Sequence, residues 1–574
     1  MRILIVNLTR FGDQLQSSPT IAGLKARHPE AEITVAVDVQ HASVCHGIPG
    51  IDHVYELDLD QVGRHLLAGG PKLVDAYRYV EGIVRALRGR AFDQAFNFSS
   101  SRMSGVFMRL LGVRDSRGWM MDSEGQRLIS HPWSRLFVAS VLNRRYAPYN
   151  LVDFYSRIAG VRPPEQRLWY TPTGAGRQRA AALLTSEGVT PEGGRVIALQ
   201  PGASNAIRRW PASSFATLGR DLRDRLGARV VLIGSAGESE LCQTIAADIG
   251  AGALSLAGRT DLPTLAGILE RTALLVTGDT GPMHLAVAVG TPVVSFFFGP
   301  AYVWETGPYA ADSIAFQTRI ACSPCHHMVR CLAPVCHDEL EPEMVFWAVR
   351  DRLCQDYGAL ARRARDWSAV DVFRIGFDDE GMYDPVPLVP RIDAGETLRL
   401  VYREMWRAAF DGEPEPGVAV TRLEQRWRER AGARAATGVD GGRRALEMLA
   451  ALAQRGQGLA TALGVGGAGA EPSLAQLEDI GAEIERLDRE IEQLGLVEDG
   501  VATLTRTFVL EKENVSETQA LDVLARETLA LYAALGSRAQ LALRLLAAID
   551  RSPASSRRVA PVRESRGPEA VALG

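Results

Sequence analysis

The stretch Thr272–Pro300, TALLVTGDTGPMHLAVAVGTPVVSFFFGP, constrains the fold of this chain more than any other. Thr272–Thr277 is an apolar strand, and Gly278–Pro282 cannot continue it. His284–Val289 has the small, apolar character of a helix packed on a sheet, and Pro292–Phe297 is a strand again. Strand, tight turn, helix and strand in that order belong to an open parallel α/β sheet. Asp279 and Thr280 then lie at the carboxyl end of a strand and the amino end of a helix. Such sheets bind ligands there, and the free N–H groups of a helix start attract anions such as phosphates. A phosphate-bearing substrate is the first expectation; Asp279 acting only as a helix cap is the competing one.

The same alternation runs through the N-terminal half. Ile3–Leu8, a helix over Ser17–His28 and Ile33–Val37 open a βαβ unit, which Val54–Leu57, a helix over Tyr77–Leu87 and Gln94–Asn97 continue. Residues 1–165 are therefore expected to form one doubly wound parallel-sheet domain. Pro163, Pro164, Pro172 and the small residues that follow read as a linker. Strands at 196–200, 230–233, 253–256, 274–277 and 292–297 then predict a second such domain over 175–355. After about Asp356 the chain becomes rich in Ala, Arg, Glu and Leu with almost no strand signal, so 360–551 is expected to be helical. Leu477, Ile480, Ile484, Leu487, Ile491 and Leu494 alternate spacings of three and four, a heptad seam for a helical bundle or a coiled coil. A second helical run, 517–549, could return against it. Gly456–Gly469 reads as a flexible connector and 552–574 as a disordered tail.

At 574 residues the chain exceeds what one hydrophobic core can hold. A formal net charge of −4 gives no global reason to expect nucleic-acid binding. No apolar run approaches the ~20 residues needed to cross a bilayer, and the start MRILIVNLTRFGD enters a strand directly. These features predict a cytoplasmic protein, at most peripheral to a membrane. Of seven cysteines, Cys322, Cys325, Cys331 and Cys336 crowd into CSPCHHMVRCLAPVCH, a loop at 322–336. That spacing suits thiolate chemistry better than a disulfide scaffold. Four soft ligands, with His326, His327 and His337 interspersed, could close a structural zinc or iron site, although C-x4-C departs from zinc-ribbon spacing; reduced, buried thiols are the other reading.

RILIVNLTRFGDQLQSSPTIAGLKARHPEAEITVAV, LQPGASNAIRRWPASSFATL and GDTGPMHLAVAVGTPVVSFFFGP, in that order, resemble the lipopolysaccharide heptosyltransferases, glycosyltransferase family 9. The resemblance covers roughly residues 1–350 and leaves the extension unexplained. It implies a GT-B fold, with the acceptor on the first domain, the nucleotide-sugar on the second and reaction in the cleft. The implied donor is ADP-heptose, and transfer inverts the anomeric centre without a cofactor or catalytic metal; no Asp-x-Asp element accompanies the cleft motifs. Such a displacement needs a base for the acceptor hydroxyl and cations or N–H groups for the leaving diphosphate.

Asp13 matches the family's proposed base, with helix capping as the alternative. Arg208, followed by Arg209, Trp210 and Pro211, stands where the family usually has a lysine that clamps the diphosphate. Thr280, Gly281 and His284, beside Asp279, match the phosphate loop, and Gly202 lies on the strand-to-turn segment before the arginines. Glu238 falls where family members read the ribose, or is a solvated helix-start glutamate. On the acceptor side, Arg102 in NFSSSR could meet an acidic acceptor. The implied partners are ADP-heptose and a lipopolysaccharide core, the latter placing the enzyme at the inner face of the inner membrane. A protein acceptor such as flagellin, recruited by the extension, and a non-catalytic nucleotide-sugar-binding scaffold are the alternatives.

Overall fold

The computed structural model describes residues 1–551 except 142, 190–193, 326–328, 330, 413–415, 432–438, 465–472 and 516–519. The tail from 552, the distal part of the expected connector, and His326 and His327 lie outside the described residues.

The first sheet contains β1 (Arg2–Val6), β2 (Glu32–Asp38), β3 (His53–Leu57), β4 (Gln94–Asn97) and β5 (Asp115–Gly118) in the order β3-β2-β1-β4-β5. All its pairings are parallel. Strand alternation splits β1 between two cores. Ile3 and Ile5 face one with Leu15, Ile21 and Leu24, whereas Leu4 and Val6 face another with Ile83, Val84 and Leu87. A short hairpin, β6 (Met120–Met121) and β7 (Arg127–Leu128), follows.

The second sheet is built from β8 (Val196–Gln200), β9 (Arg229–Leu232), β10 (Ala253–Ser255), β11 (Leu274–Gly278), β12 (Val293–Phe297), β13 (Ile314–Thr318), β14 (Val370–Phe377) and β15 (Tyr383–Pro387). Its order is β10-β9-β8-β11-β12-β13-β14-β15. Every residue of β11, β12 and β13 is buried, as expected of central strands covered on both faces.

The last two strands correct the expectation of an all-helical region from 360. β14 and β15 extend the sheet antiparallel, and the helical extension proper begins at Ala394. Pro385 and Pro387 make β15 read as a loop, yet proline is tolerated there because β15 is the edge strand.

The extension comprises helices Ala394–Phe410, Pro416–Ala431, Asp440–Gly464, Leu474–Val497, Ala502–Lys512 and Leu521–Arg551. Gly456–Gly464 is helical rather than a connector. Ala453, Gly456 and Ala460 are the small residues on the buried face of Asp440–Gly464, which packs against Leu521–Arg551; a side chain at Gly456 would overlap the Tyr532 ring. The heptad seam is buried at Ile484, Leu487 and Ile491. It faces Asp440–Gly464 and Ala502–Lys512, so the closing helix returns mainly against a different partner from the one the seam suggested.

A buried ion-pair network joins this extension to β14 and β15. Asp378 accepts hydrogen bonds from Arg403 (2.9 Å), Arg407 (3.2 Å) and Arg426 (2.9 Å), and Arg426 also reaches Asp384 (2.6 Å) and Glu404 (3.1 Å). Burial alone would raise the Asp378 carboxyl, but the guanidiniums of Arg403, Arg426 and Arg407 outweigh it and hold it well below the usual carboxylate range. On the first domain, Arg157 pairs with Glu380 (3.1 Å) and Asp411 (2.9 Å), and the Tyr149 hydroxyl donates to the Arg403 carbonyl. The extension thus packs on both sheet domains.

Candidate active site

The helix Phe11–Arg27 starts directly beyond the loop that follows β1. The helix begins at Phe11 rather than at the expected Ser17, and Asp13 lies in its first turn. Its carboxylate accepts the Arg10 backbone N–H at 3.2 Å, a capping bond, and a hydrogen bond from the Thr9 hydroxyl. Burial raises its pKa, the Thr9 and Arg10 bonds oppose that rise, and the charge of Asp279 adds to it. Asp279 belongs to the other domain, 266 positions along the chain. Capping and cleft placement are both properties of this one carboxylate.

Two helix starts meet where the domains touch. The helix Gly281–Ala288 follows β11, with Thr280 at its N-cap. A Cβ on Gly281 would overlap the Phe11 ring, so only glycine lets the Asp13 helix approach this closely. Arg208 donates to the Asp279 carboxylate at 2.6 Å and to its carbonyl, while its Nε has no partner among the described residues. His284 is buried, with Nε2 4.0 Å from Asp279 and Nδ1 unpartnered among the described residues. Burial pushes the His284 imidazole down to about 4, opposed by Asp279 and helped by Arg208, so it is neutral at pH 7. A neutral imidazole can donate one hydrogen bond to a ligand without adding charge.

Beneath this loop the Thr280 hydroxyl joins Thr277 (3.0 Å) and Gln200 (3.1 Å), and Gln200 donates to the Gly202 carbonyl at 2.9 Å. That network ties the end of β11 to the end of β8. Glu238 accepts from the Ser235 amide (2.7 Å) and hydroxyl (2.9 Å), and its carboxylate lies against Gly202, where any Cβ would overlap it. Glu238 therefore serves as a helix-start cap while facing the β8 turn. Arg209 is exposed and donates to the Ala203 carbonyl at 2.8 Å, bracing that turn. Arg10 crosses the cleft to the Ser204 hydroxyl at 3.0 Å. Arg102 opens the helix Arg102–Leu111 and is exposed; no contact between it and the Asp13 cluster is found among the described residues.

Sequence reasoning missed Glu305 and Arg144. Glu305, in the short helix Val303–Thr306 after β12, pairs with Arg144 of the first domain at 3.0 Å. Burial raises its carboxyl to about 6, Arg144 opposes this, and Asp279 and Asp13 add to it. Three carboxylates and two guanidiniums thus share one interdomain space. No local pattern marks Glu305 or Arg144; only the approach of the two domains brings them together.

This geometry coincides with a sequence match: residues 80–335 fit the sequence model of glycosyltransferase family 9 (heptosyltransferase). Residues 80–335 carry a glycosyltransferase family 9 region. Lipopolysaccharide heptosyltransferase 2 of Salmonella typhimurium is 26% identical over 314 residues, covering 52% of this chain and 83% of that protein. Lipopolysaccharide heptosyltransferase 3 of Escherichia coli is 23% identical over 322 residues, covering 53% and 85%. The crystal structure of the glycosyltransferase family 9 protein from Veillonella parvula matches the fold with a TM-score of 0.52 and 22% identity, covering 62% of this chain and 97% of that one. The chain described here is accordingly a GT-B enzyme of glycosyl transfer with a helical C-terminal region.

The cysteine loop follows β13. Cys322 is exposed, Cys325 and Cys331 are half-buried, and Cys336 is buried. The Cys325 thiol is raised to about 11 by burial, with further contributions from Cys322, Cys336 and Cys331. Among the described residues no three His, Cys, Asp or Glu side chains stand in ligand geometry, and His337 is engaged with the Ile207 carbonyl at 2.8 Å. The donor chemistry suits a soft metal; the described arrangement does not hold the sulfurs as a formed site.

Proposed function

We propose that this enzyme transfers a heptose from ADP-heptose to a lipopolysaccharide-core sugar, with inversion and without a catalytic metal. The observation that carries this reading is the meeting of Asp13 with the Asp279–Arg208–His284 cluster across the domain boundary. Asp13 takes the proton of the acceptor hydroxyl, whose oxygen attacks the anomeric carbon from the face opposite the diphosphate. The anomeric carbon–phosphate oxygen bond breaks and ADP carries away the electron pair. Arg208, the His284 N–H and the first N–H groups of the helix Gly281–Ala288 stabilise the charge that develops on it. Arg208 reaches the diphosphate by exchanging its Asp279 partner for phosphate oxygens, which its guanidinium can bind in bidentate fashion. Glu238 reads the ribose across the Gly202 turn, Arg209 braces that turn, and Arg102 meets acidic groups of the acceptor. Cys322, Cys325, Cys331 and Cys336 are the residues that would hold a structural zinc or iron, which takes no part in the displacement.

Calorimetry with ADP, UDP and GDP in the presence of a chelator, followed by turnover of ADP-heptose with a lipopolysaccharide core and with a protein acceptor, tests this. The expected result is selective ADP binding and a single inverted anomer on the core sugar. Selective UDP or GDP binding would overturn the donor, transfer only to protein would overturn the acceptor, and nucleotide binding without turnover on either acceptor would favour the non-catalytic scaffold.

A further inference from the structure

The first domain carries an apolar, basic surface of which the transfer reaction, as proposed, uses only Arg102 at its edge. Helix Leu59–Ala68 buries none of its residues and turns through Gly69 and Gly70 into helix Pro71–Arg88. The latter is anchored mainly by Ile83, Val84 and Leu87, so the hairpin tip stands clear of the core. That tip exposes Leu66, Leu67, Leu73 and Val74, with Leu67 90% exposed, and Tyr77 beside them is 66% exposed. The adjoining helix Arg102–Leu111 packs Phe107, Met108 and Leu111 into the same core as Ile83, Val84 and Leu87, yet exposes Met103, Val106 and Leu110 on its outer face. A surface helix normally presents polar residues to water; here the apolar residues continue around to the solvent side.

Charge is segregated in the same place. Residues 59–114 hold nine Lys and Arg against four Asp and Glu, a net +5 in a chain of net −4, so the remainder carries −9. Arg78, Arg102 and Arg109 are exposed and form no ion pair with a carboxylate among the described residues. Apolar side chains at a protruding tip, flanked by unneutralised arginines, match an interface that is negative at its surface and apolar beneath.

We propose that this surface, the 59–88 hairpin with the outer face of Arg102–Leu111, docks the enzyme on an anionic lipid bilayer. The tip leucines enter the headgroup and acyl boundary, and Arg64, Lys72, Arg78 and Arg109 meet lipid phosphates. No helix among the described residues is long and apolar enough to cross a membrane, so the contact is interfacial. It does not depend on which sugar or acceptor the enzyme uses.

Co-sedimentation of the full chain with extruded phosphatidylglycerol/phosphatidylethanolamine vesicles, against pure phosphatidylcholine vesicles, tests the proposal at low and high salt. The expected result is binding to the anionic vesicles only, lost at high salt, and weakened about fivefold by neutralising Arg78. Leu67→Asp with Leu73→Asp should reduce binding at least tenfold at unchanged thermal stability, while Leu496→Asp with Val497→Asp, exposed apolar residues of the extension, should leave it unchanged. Tyr77→Trp should show an indole blue shift on addition of anionic vesicles. No binding to anionic vesicles at low salt, or binding indifferent to the tip substitutions, overturns the proposal. So does self-association in light scattering that Leu67→Asp abolishes without any vesicle binding, which would make the face a protein interface.

Discussion

Asp13→Asn separates the two roles of this carboxylate. The amide retains the size of the carboxylate and an oxygen able to accept the Arg10 N–H, now 3.2 Å away, so the helix start should lose no more than about 1 kcal/mol. The amide cannot accept a proton at neutral pH. Loss of a positioned general base costs about 10²–10⁴ in turnover, roughly 3–5 kcal/mol of barrier. Turnover should therefore collapse while the unfolding midpoint and ADP affinity barely move. Burial and Asp279 raise the Asp13 carboxyl, against the Thr9 and Arg10 bonds, and the base works only when deprotonated. Activity should then fall as pH drops through a value above the ordinary aspartate range. Thr9→Val removes a bond to the charged form and should move that acid limb to higher pH. Asp279→Asn removes a neighbouring negative charge and should move it lower. The assay is kcat/KM against pH for the three single variants, with calorimetric ADP binding and thermal melts on the same samples. Asp13→Asn turning over within severalfold of the parent, or an acid limb that neither Thr9→Val nor Asp279→Asn displaces, would refute the assignment.

Arg208→Ala should lower turnover about 10²–10³-fold by removing the cation for the leaving diphosphate, with Arg208→Lys recovering part of it; steady-state kinetics check this. Gly202→Ala places a methyl group inside the Glu238 carboxylate and should weaken ADP binding at least tenfold in calorimetry, with a smaller effect on the melt. Asp378→Ala leaves the buried guanidiniums of Arg403, Arg407 and Arg426 without their shared partner and should cost about 3–5 kcal/mol, read as a lowered urea midpoint. Because the folded Asp378 pKa is depressed, its contribution is present above the unfolded value near ~3.9 and is lost as pH falls towards the folded one; Asp378→Asn should flatten that acid-side loss.

The sheet domains were legible because β1, β8, β11 and β12 are short apolar runs between turn signals, and strands covered on both faces have no other way to read. The strand pair β14–β15 was not, because Arg374 and two prolines on an edge remove both the apolar run and the alternation. Asp13, Arg208, Asp279 and His284 could be named from motif context, but not how they connect. That Arg208 grips Asp279, and that Gly281 seats Phe11, depends on the approach of elements far apart along the chain. Glu305 and Arg144 had no local signal for the same reason. The heptad seam predicted burial correctly at Ile484, Leu487 and Ile491, but periodicity does not name the partner helix, and two helices share it.

Asp13 and Asp279 come from different domains, so the interdomain angle sets their distance, and that angle is held from behind the cleft. Arg157 reaches Glu380 and Asp411, Asp153 of the helix Leu151–Ala159 accepts from the Tyr309 hydroxyl (3.1 Å) and the Tyr383 amide (3.1 Å), and Arg144 spans to Glu305 and the Pro300 carbonyl (2.8 Å). Asp378 and Arg403, which anchor the extension to β14 and β15, sit within this same junction. An enzyme of two sheet domains alone could close on its donor about a bare hinge. This one must move, or keep, a polar junction in which breaking the buried Arg403–Asp378 pair strands a charge away from water. The junction therefore favours one interdomain angle, the one at which Gly281 meets Phe11 and Asp13 faces Asp279. The extension enters this junction through Arg403, which donates to the Pro148 carbonyl and Asp378, and through Asp411, which pairs with Arg157, so it adds to the contacts that hold the angle without reaching the Asp13–Asp279 pair.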